Sequence, residues 1–333
     1  LTKKMGYWVD MSDPYITYDN RYIETLWYLL KELYNKNFLY KGYSIQPYSP
    51  AAGTGLSTHE LNQPGCYRDV TDTTCTAQFK IINPVKEWRG FGEAFLLAWT
   101  TTPWTLPSNV LLAVGKNIDY VAVETYNQYT GMPITVVLAK SLLGAYFPEK
   151  NSELSFDDYN KGDINIPYRV LNKVWKGAEL EGVKYEQLIP WVNASENAFK
   201  VVTGDFVTTE DGTGIVHIAP TFGADDMRVG KEHDVEGLML TDKDGNRRPM
   251  VDLTGKYFKL EELDSDFVEN NMNSELYAEF AGRYVKNQYD DTLTEADATL
   301  DVDLSVMLKL QNRAFRIEKQ VHNYPHCWRT DKP

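Results

Sequence analysis

Cysteine, basic charge and long apolar runs are all scarce in this chain, and each shortage excludes something. Three cysteines, Cys66, Cys75 and Cys327, in 333 residues cannot build a disulfide framework. That usage fits a reducing, cytoplasmic setting. No uncharged stretch approaches the ~20 residues that a membrane helix needs, and the opening residues lack a signal-peptide pattern, so no membrane partner is expected. Lys and Arg number 34 against 47 Asp and Glu, a formal charge of −13. Gripping a nucleic acid along its phosphates needs the opposite balance, although one nucleotide end can still be held locally. Phosphate loops are missing too: Gly53-Thr54-Gly55 and Gly212-Thr213-Gly214 are followed by no Lys-Ser or Lys-Thr. Cys66 and Cys75 are too far apart for a zinc knuckle, and His326 and Cys327 are adjacent, which suits no common zinc spacing.

The remainder is an ordinary globular composition, 43% hydrophobic and 24% charged. Near the start, Ile23, Leu26, Leu29, Leu30 and Leu33 recur at helical spacing behind a cap at Asp19 or Asn20, and Asn35 to Asn37 ends the helix. From about Gly65 the texture turns to short β-branched and aromatic runs: Thr76–Ile82, Phe95–Trp99, Val110–Val114, Tyr120–Glu124, Ile134–Leu138, Tyr168–Val174, Phe199–Val202 and Gly214–Ile218. Helices are expected at Lys140–Tyr146, Ala224–His233 and Leu260–Asn271. The basic stretch Lys309 to Lys319 reads as a solvated face, and Val321 to Pro333 returns to the aromatic, proline-containing texture of the first segment. The expected fold class is α+β, predominantly β, with a barrel-like domain over residues 63–318. It is inserted between a helical and irregular flank, 1–62, and a short flank, 319–333.

Two stretches carry the chemistry. The first is Trp99-Thr100-Thr101-Thr102-Pro103-Trp104-Thr105-Leu106-Pro107-Ser108-Asn109. An apolar strand runs into proline-braced backbone, which holds hydroxyls still, as a small polar pocket requires. A threonine-rich strand end stopped by prolines is the plainer alternative. The second is Asp211 through Asp226, in which His217 lies on a strand closed by Pro220 and Asp225 and Asp226 open a helix. The amide dipoles there are expected to keep a carboxylate ionised. Asp225 reads as a cap, His217 is open to a core or a site role, and Trp104 is equally open to core packing.

Together these stretches resemble the editing domain of class I isoleucyl-tRNA synthetase. The flanks agree: Asp13-Pro-Tyr-Ile-Thr-Tyr-Asp-Asn20, Tyr40-Lys-Gly-Tyr43, Gly53-Thr-Gly-Leu-Ser-Thr-His-Glu60 and Tyr324-Pro-His-Cys-Trp-Arg-Thr330 look like that family's junctions between the catalytic core and the insertion. The related valyl and leucyl enzymes share the insertion, but the triple threonine and His217 look most like the isoleucine enzyme. The family's His-x-Gly-His and Lys-Met-Ser-Lys-Ser motifs are absent, so this chain is not expected to activate an amino acid. ATP and magnesium are expected only for a full-length enzyme, and no cofactor or metal for editing. Ser108 and Phe222 stand where relatives carry other residues.

The resemblance implies hydrolysis of valyl-tRNA(Ile), with the 3′-terminal adenosine of tRNA(Ile) and a parent catalytic core as partners. Asp226 resembles the anchor of the substrate's ammonium group. Thr100, Thr101 and Thr102 look like the wall around the scissile ester and ribose. Thr105 and His217 resemble the boundary of the side-chain pocket, His217 as a wall and not a base. Trp104 and Asn109 look like residues that shape the pocket and the adenosine site. A tRNA-end binding module with little hydrolysis of its own, a valyl-enzyme editing domain, and a metal hydrolase using His217 and Asp226 are the alternatives.

Overall fold

The computed structural model describes residues 1–40, 42–294 and 297–333; Lys41, within the Tyr40–Tyr43 motif, lies outside them. The chain divides into two compact units, Leu1–Ser44 and Ile45–Pro333. The first carries helix α1, Asn20–Asn35, whose cap is Asp19: its carboxylate accepts from the Arg21 N–H at 2.9 Å. The helix stops where Asn37 takes a positive φ of 59°, a conformation asparagine tolerates well.

Nine strands build the larger unit: β1 Tyr67–Lys80, β2 Glu93–Thr100, β3 Leu111–Val114, β4 Asp119–Tyr126, β5 Pro133–Ala139, β6 Tyr168–Lys176, β7 Lys200–Thr203, β8 Ile215–Ile218 and β9 Ala314–Pro325. Two-residue ladders add Tyr48–Ser49 with Thr54–Gly55 and Leu240–Thr241 with Arg247–Arg248. One sheet has the order β9-β1-β2-β5-β4-β6, the other β8-β3-β7. Both are open, so the barrel-like expectation is corrected. The six-stranded sheet ends at β9 and β6 and does not close, since closure requires those two edges to pair with each other. Mixed α and β structure with strand predominating stands as expected.

Alternation along the strands explains why the large sheet is buried on both faces. Leu96 and Ala98 of β2 join Ala77, Phe79, Tyr120, Ala122 and Val137 in the main core. Phe95 and Leu97 point the other way, with Val121, Val123, Ile134, Val136 and Leu138 under Tyr146, Phe147 and Phe315. The β-rich segment does not end at residue 318. β9 runs through it, pairing from Ala314 with Ala77 to Pro325 with Tyr67, while β2 covers β1 only from Cys75 onward. The remainder of β1 and β9 therefore forms a two-stranded ribbon. Residues 45–62 likewise belong to the larger unit, where Glu60 meets Arg329.

Two further helices matter for the site: α2, Ala224–Glu232, and α3, Leu300–Leu310. Neither α3 nor most of β9 was anticipated. The expected helix over Leu260–Asn271 splits into a 3₁₀ turn, Leu260–Glu262, and a helix, Ser265–Asn271, because Asp264 recaps it through the Phe267 N–H at 2.8 Å.

Gly214, leading into β8, has φ +72°, and a Cβ there would stand 2.4 Å from Ala139 Cβ. Gly214→Ala is expected to destabilise the chain by about 2–4 kcal/mol, the sum of a strained φ and an overlap in a close-packed core. Urea unfolding of the two proteins measures this; equal midpoints would refute it.

Candidate functional site

The site is assembled where the chain passes from one sheet to the other. β2 ends at Thr100, a 3₁₀ turn spans Pro103–Ser108, and β3 starts the second sheet at Leu111. Proline at the first position of the turn suits its missing N–H, and Pro107 inside it keeps the turn short. Thr100 Oγ1 accepts from the Thr102 N–H at 3.1 Å and lies 3.3 Å from Thr102 Oγ1. Thr105 donates to the Thr102 carbonyl at 2.9 Å and stands 3.1 Å from His217 Nε2. One hydrogen-bonded path thus joins Thr100, Thr102, Thr105 and His217, across the two sheets. Thr101 is half-buried beside it, with no intramolecular partner for its hydroxyl among the described residues.

His217 comes to this place because β8 pairs antiparallel with β3, setting it opposite Leu112. Burial pushes its pKa down to about 4, so the ring is neutral at physiological pH. Among the described residues its Nδ1 is buried without a hydrogen-bond partner, as are Trp104 Nε1, Ser108 Oγ and Thr221 Oγ1 of the same two stretches. Such orphan buried polar atoms are rare in folded proteins. Trp104 makes an edge-on contact with Phe222, ring centroids 5.0 Å apart, and packs against the main core as well. The core-packing reading of Trp104 is therefore the one seen in its contacts.

Asp226 sits in the first turn of α2 and folds back over Gly223, where an added Cβ would lie 2.8 Å from the carboxylate carbon. Its Oδ2 accepts from the Ala219 N–H at 2.8 Å. No cationic side chain pairs with it among the described residues, whereas exposed Asp225 faces Arg228 at 3.9 Å. The helix start does not dominate its titration as the sequence suggested. Desolvation pushes the pKa up to about 6, opposed by the Ala219 hydrogen bond and reinforced by Asp225. The group is still mainly ionised at neutral pH, but it is a half-buried anion without a counter-charge.

Asn109 stands apart from this group. It is buried, its Nδ2 donates to the Leu111 carbonyl at 2.9 Å and its Oδ1 accepts from Tyr185 Oη at 2.8 Å, so its amide braces the start of β3. Three roles escaped the sequence reading: that of Gly223, which makes room for Asp226, and those of Tyr257 and Asp301, which both bond the Trp104 backbone. A glycine two residues ahead of a helix-opening acidic pair was the only signal for any of them. No group of three or more His, Cys, Asp or Glu is close enough to hold a metal among the described residues, and no helix there is long and apolar enough to cross a membrane.

Residues 1–297 match the family model described as tRNA synthetases class I (I, L, M and V). Over its whole length the chain is 68% identical to an isoleucine–tRNA ligase of Porphyromonas gingivalis and 65% identical to one of Bacteroides fragilis, covering 29% of each. It is 37% identical to a Clostridium tetani isoleucine–tRNA ligase over 99% of this chain and 25% of that protein. The chain thus spans less than a third of the length of these relatives. Among solved structures, the P. knowlesi cytosolic leucyl-tRNA synthetase editing domain aligns at a TM-score of 0.42 and 14% identity, over 75% of this chain and 97% of that one.

The raised pKa of Asp226 has a signed consequence. An unfolded aspartate titrates near ~3.9. The folded carboxyl, at about 6, therefore favours the fold below pH ~4, and this contribution is lost as pH rises through 6. Asp226→Asn is expected to stabilise the unliganded protein by about 1–3 kcal/mol at pH 8, with the gain shrinking toward pH 4. Urea unfolding at the two pH values checks this, and a gain independent of pH would contradict the assignment.

Proposed function

The chain belongs to the class I tRNA synthetases of the I, L, M and V group, and we propose that its site hydrolyses the ester of valine misattached to the terminal adenosine of tRNA(Ile), the proofreading step of an isoleucine–tRNA ligase. The observation that carries this reading is the half-buried carboxylate of Asp226, which has no cationic partner among the described residues and is bonded to the backbone N–H of Ala219, two residues beyond His217. A cation seated there relieves a desolvated charge, and the protonated α-amino group of an aminoacyl ester is such a cation.

The side-chain recess supplies the selection. A pocket shaped for isoleucine rejects valine by only about 1–3 kcal/mol, a limit for which isoleucyl-tRNA synthetases are the standard worked example. A second site must invert the preference, accepting valine and refusing isoleucine by overlap, which close-packed walls penalise more steeply than a missing contact. Thr105 and neutral His217, held 3.1 Å apart and backed by the core, suit such a wall. The hydroxyls and amides of Thr100, Thr101 and Thr102 line the ester and ribose. They orient water and meet the developing oxyanion in a reaction that needs no covalent intermediate. No cofactor is assigned to this step, and ATP and magnesium belong to the activation step of a full-length ligase.

The charge of −13 favours a second reading for the chain by itself, a tRNA-end module that binds weakly and hydrolyses little. Comparing valyl-tRNA(Ile) deacylation by the chain and by a full-length parent ligase separates the two.

In the full-length ligase, Asp226→Ala is expected to lower valyl-tRNA(Ile) deacylation at least 100-fold, of the order seen on loss of a charged anchor. Unchanged hydrolysis would falsify the anchoring role. Thr105→Ala and His217→Ala should each widen the recess, so that correctly charged isoleucyl-tRNA(Ile) is cleaved. Continued protection of that ester in both variants removes the pair from the wall.

A further inference from the structure

The Trp104 backbone is held by two buried side chains that arrive from far along the chain. Its N–H donates to Asp301 Oδ1 at 2.8 Å, and its carbonyl accepts from Tyr257 Oη at 2.5 Å. Both groups would otherwise lack partners. The N–H lies in the first turn of a helix, where no carbonyl precedes it in the right place. The carbonyl's 3₁₀ partner would be the N–H of Pro107, and proline has none. Asp301 and Tyr257 supply what the turn's own sequence removes.

These two bonds act on different peptide planes. The N–H of Trp104 belongs to the Pro103–Trp104 peptide, and its carbonyl belongs to the Trp104–Thr105 peptide. Pinning both fixes the φ and ψ of Trp104, and thereby the position of Thr105, the next residue. Thr105 in turn meets His217. The anchors are rigid themselves. Tyr257 is fully buried and packed edge-on to Trp191, and Asp301 is buried in the first turn of α3, which Thr299 caps. Asp301 pairs with no cation among the described residues: Lys286, the charge that favours it most, is bonded to Asp72. Desolvation accordingly pushes the Asp301 pKa up to about 7. A buried carboxylate so poorly compensated is costly for a merely structural bond, which a neutral acceptor could make.

We propose that Asp301 and Tyr257 are positioning residues that set the width of the side-chain recess, by clamping the peptides on either side of Trp104 and so placing Thr105 against His217. The inference rests on the reading of the site as a size-selective ester hydrolase. Neither residue touches substrate. Their loss acts on the choice between valine and isoleucine, and less on the rate with the cognate editing substrate.

The test uses a full-length parent ligase and the variants Asp301→Asn, Asp301→Leu and Tyr257→Phe. Deacylation of valyl-tRNA(Ile) and isoleucyl-tRNA(Ile) is measured for each, with amino-acid-dependent ATP–pyrophosphate exchange as the check that the rest of the enzyme is intact. Asp301→Asn keeps an oxygen acceptor and is expected to preserve the ratio of the two rates within two-fold. Asp301→Leu and Tyr257→Phe should each shift that ratio at least ten-fold toward cleavage of the isoleucyl ester. An unchanged ratio in Tyr257→Phe, which retains the ring and its packing, overturns the proposal even if Asp301→Leu does not fold. So does an equal fall of both rates, which marks a structural role only. Asp301→Asn behaving like Asp301→Leu overturns the part of the proposal that rests on the hydrogen bond. A wild-type enzyme that cleaves neither ester defeats the underlying reading of the site, and one that discriminates while its variants keep the ratio defeats only the clamp.

Discussion

The passage of the chain from β2 to β3 is the constraint on which the rest depends. Leu96 and Ala98 of β2 are packed in the main core, so the strand cannot shift along its axis. Leu111 to Val114 of β3 are equally buried and paired on both sides, with β8 and β7. The ten residues from Thr101 to Val110 must bridge two immobile ends. Prolines at 103 and 107 stiffen that bridge, and the Thr100 hydroxyl satisfies the Thr102 N–H ahead of the turn. A loop so constrained places side chains as accurately as a strand does, which is what the proposed size-selective site demands.

Charge is distributed in the same spirit. Most ion pairs of this acidic protein lie at the surface, where they contribute little. Asp226 and Asp301 are different: both are withdrawn from water and neither has a cation in contact among the described residues. One is half-open at the start of α2; the other is closed off and bonded to the Trp104 N–H. The first suits a ligand that brings its own positive charge, and the second suits a fixed bond to the backbone. The protein carries the cost of both within a fold whose two cores are otherwise apolar.

Much of the secondary structure was legible. Short β-branched and aromatic runs bounded by turn residues marked β2 to β5 and β8 closely, because strands buried on both faces read as continuous apolar runs. β9 was not legible. Arg316, Glu318 and Lys319 are charged where it pairs with β1, so hydropathy reports a solvated face although the backbone is paired along one edge. Helix α3 was hidden for the opposite reason: Leu300, Leu304 and Leu308 are spaced for a helix, but the acidic first turn, Asp301 and Asp303, blurs the pattern. Closure of a barrel could not be read at all, since it depends on which edges meet and not on any strand's own residues.

By itself the sequence determined the components: a strand ending in fixed hydroxyls, a histidine on a second strand, an acidic helix start, and the family these identify. Such features are local, set by propensity, proline geometry and periodicity, so they survive being read one segment at a time. Only the tertiary structure decided that His217 meets Thr105, that Asp226 is desolvated without a counter-ion, that Asn109 serves the framework, and that residues 257 and 301 reach back to hold Trp104. Those outcomes depend on strand pairing and on burial, which bring together groups as far as 197 residues apart. No local pattern encodes the dielectric or the neighbours that a side chain finds there.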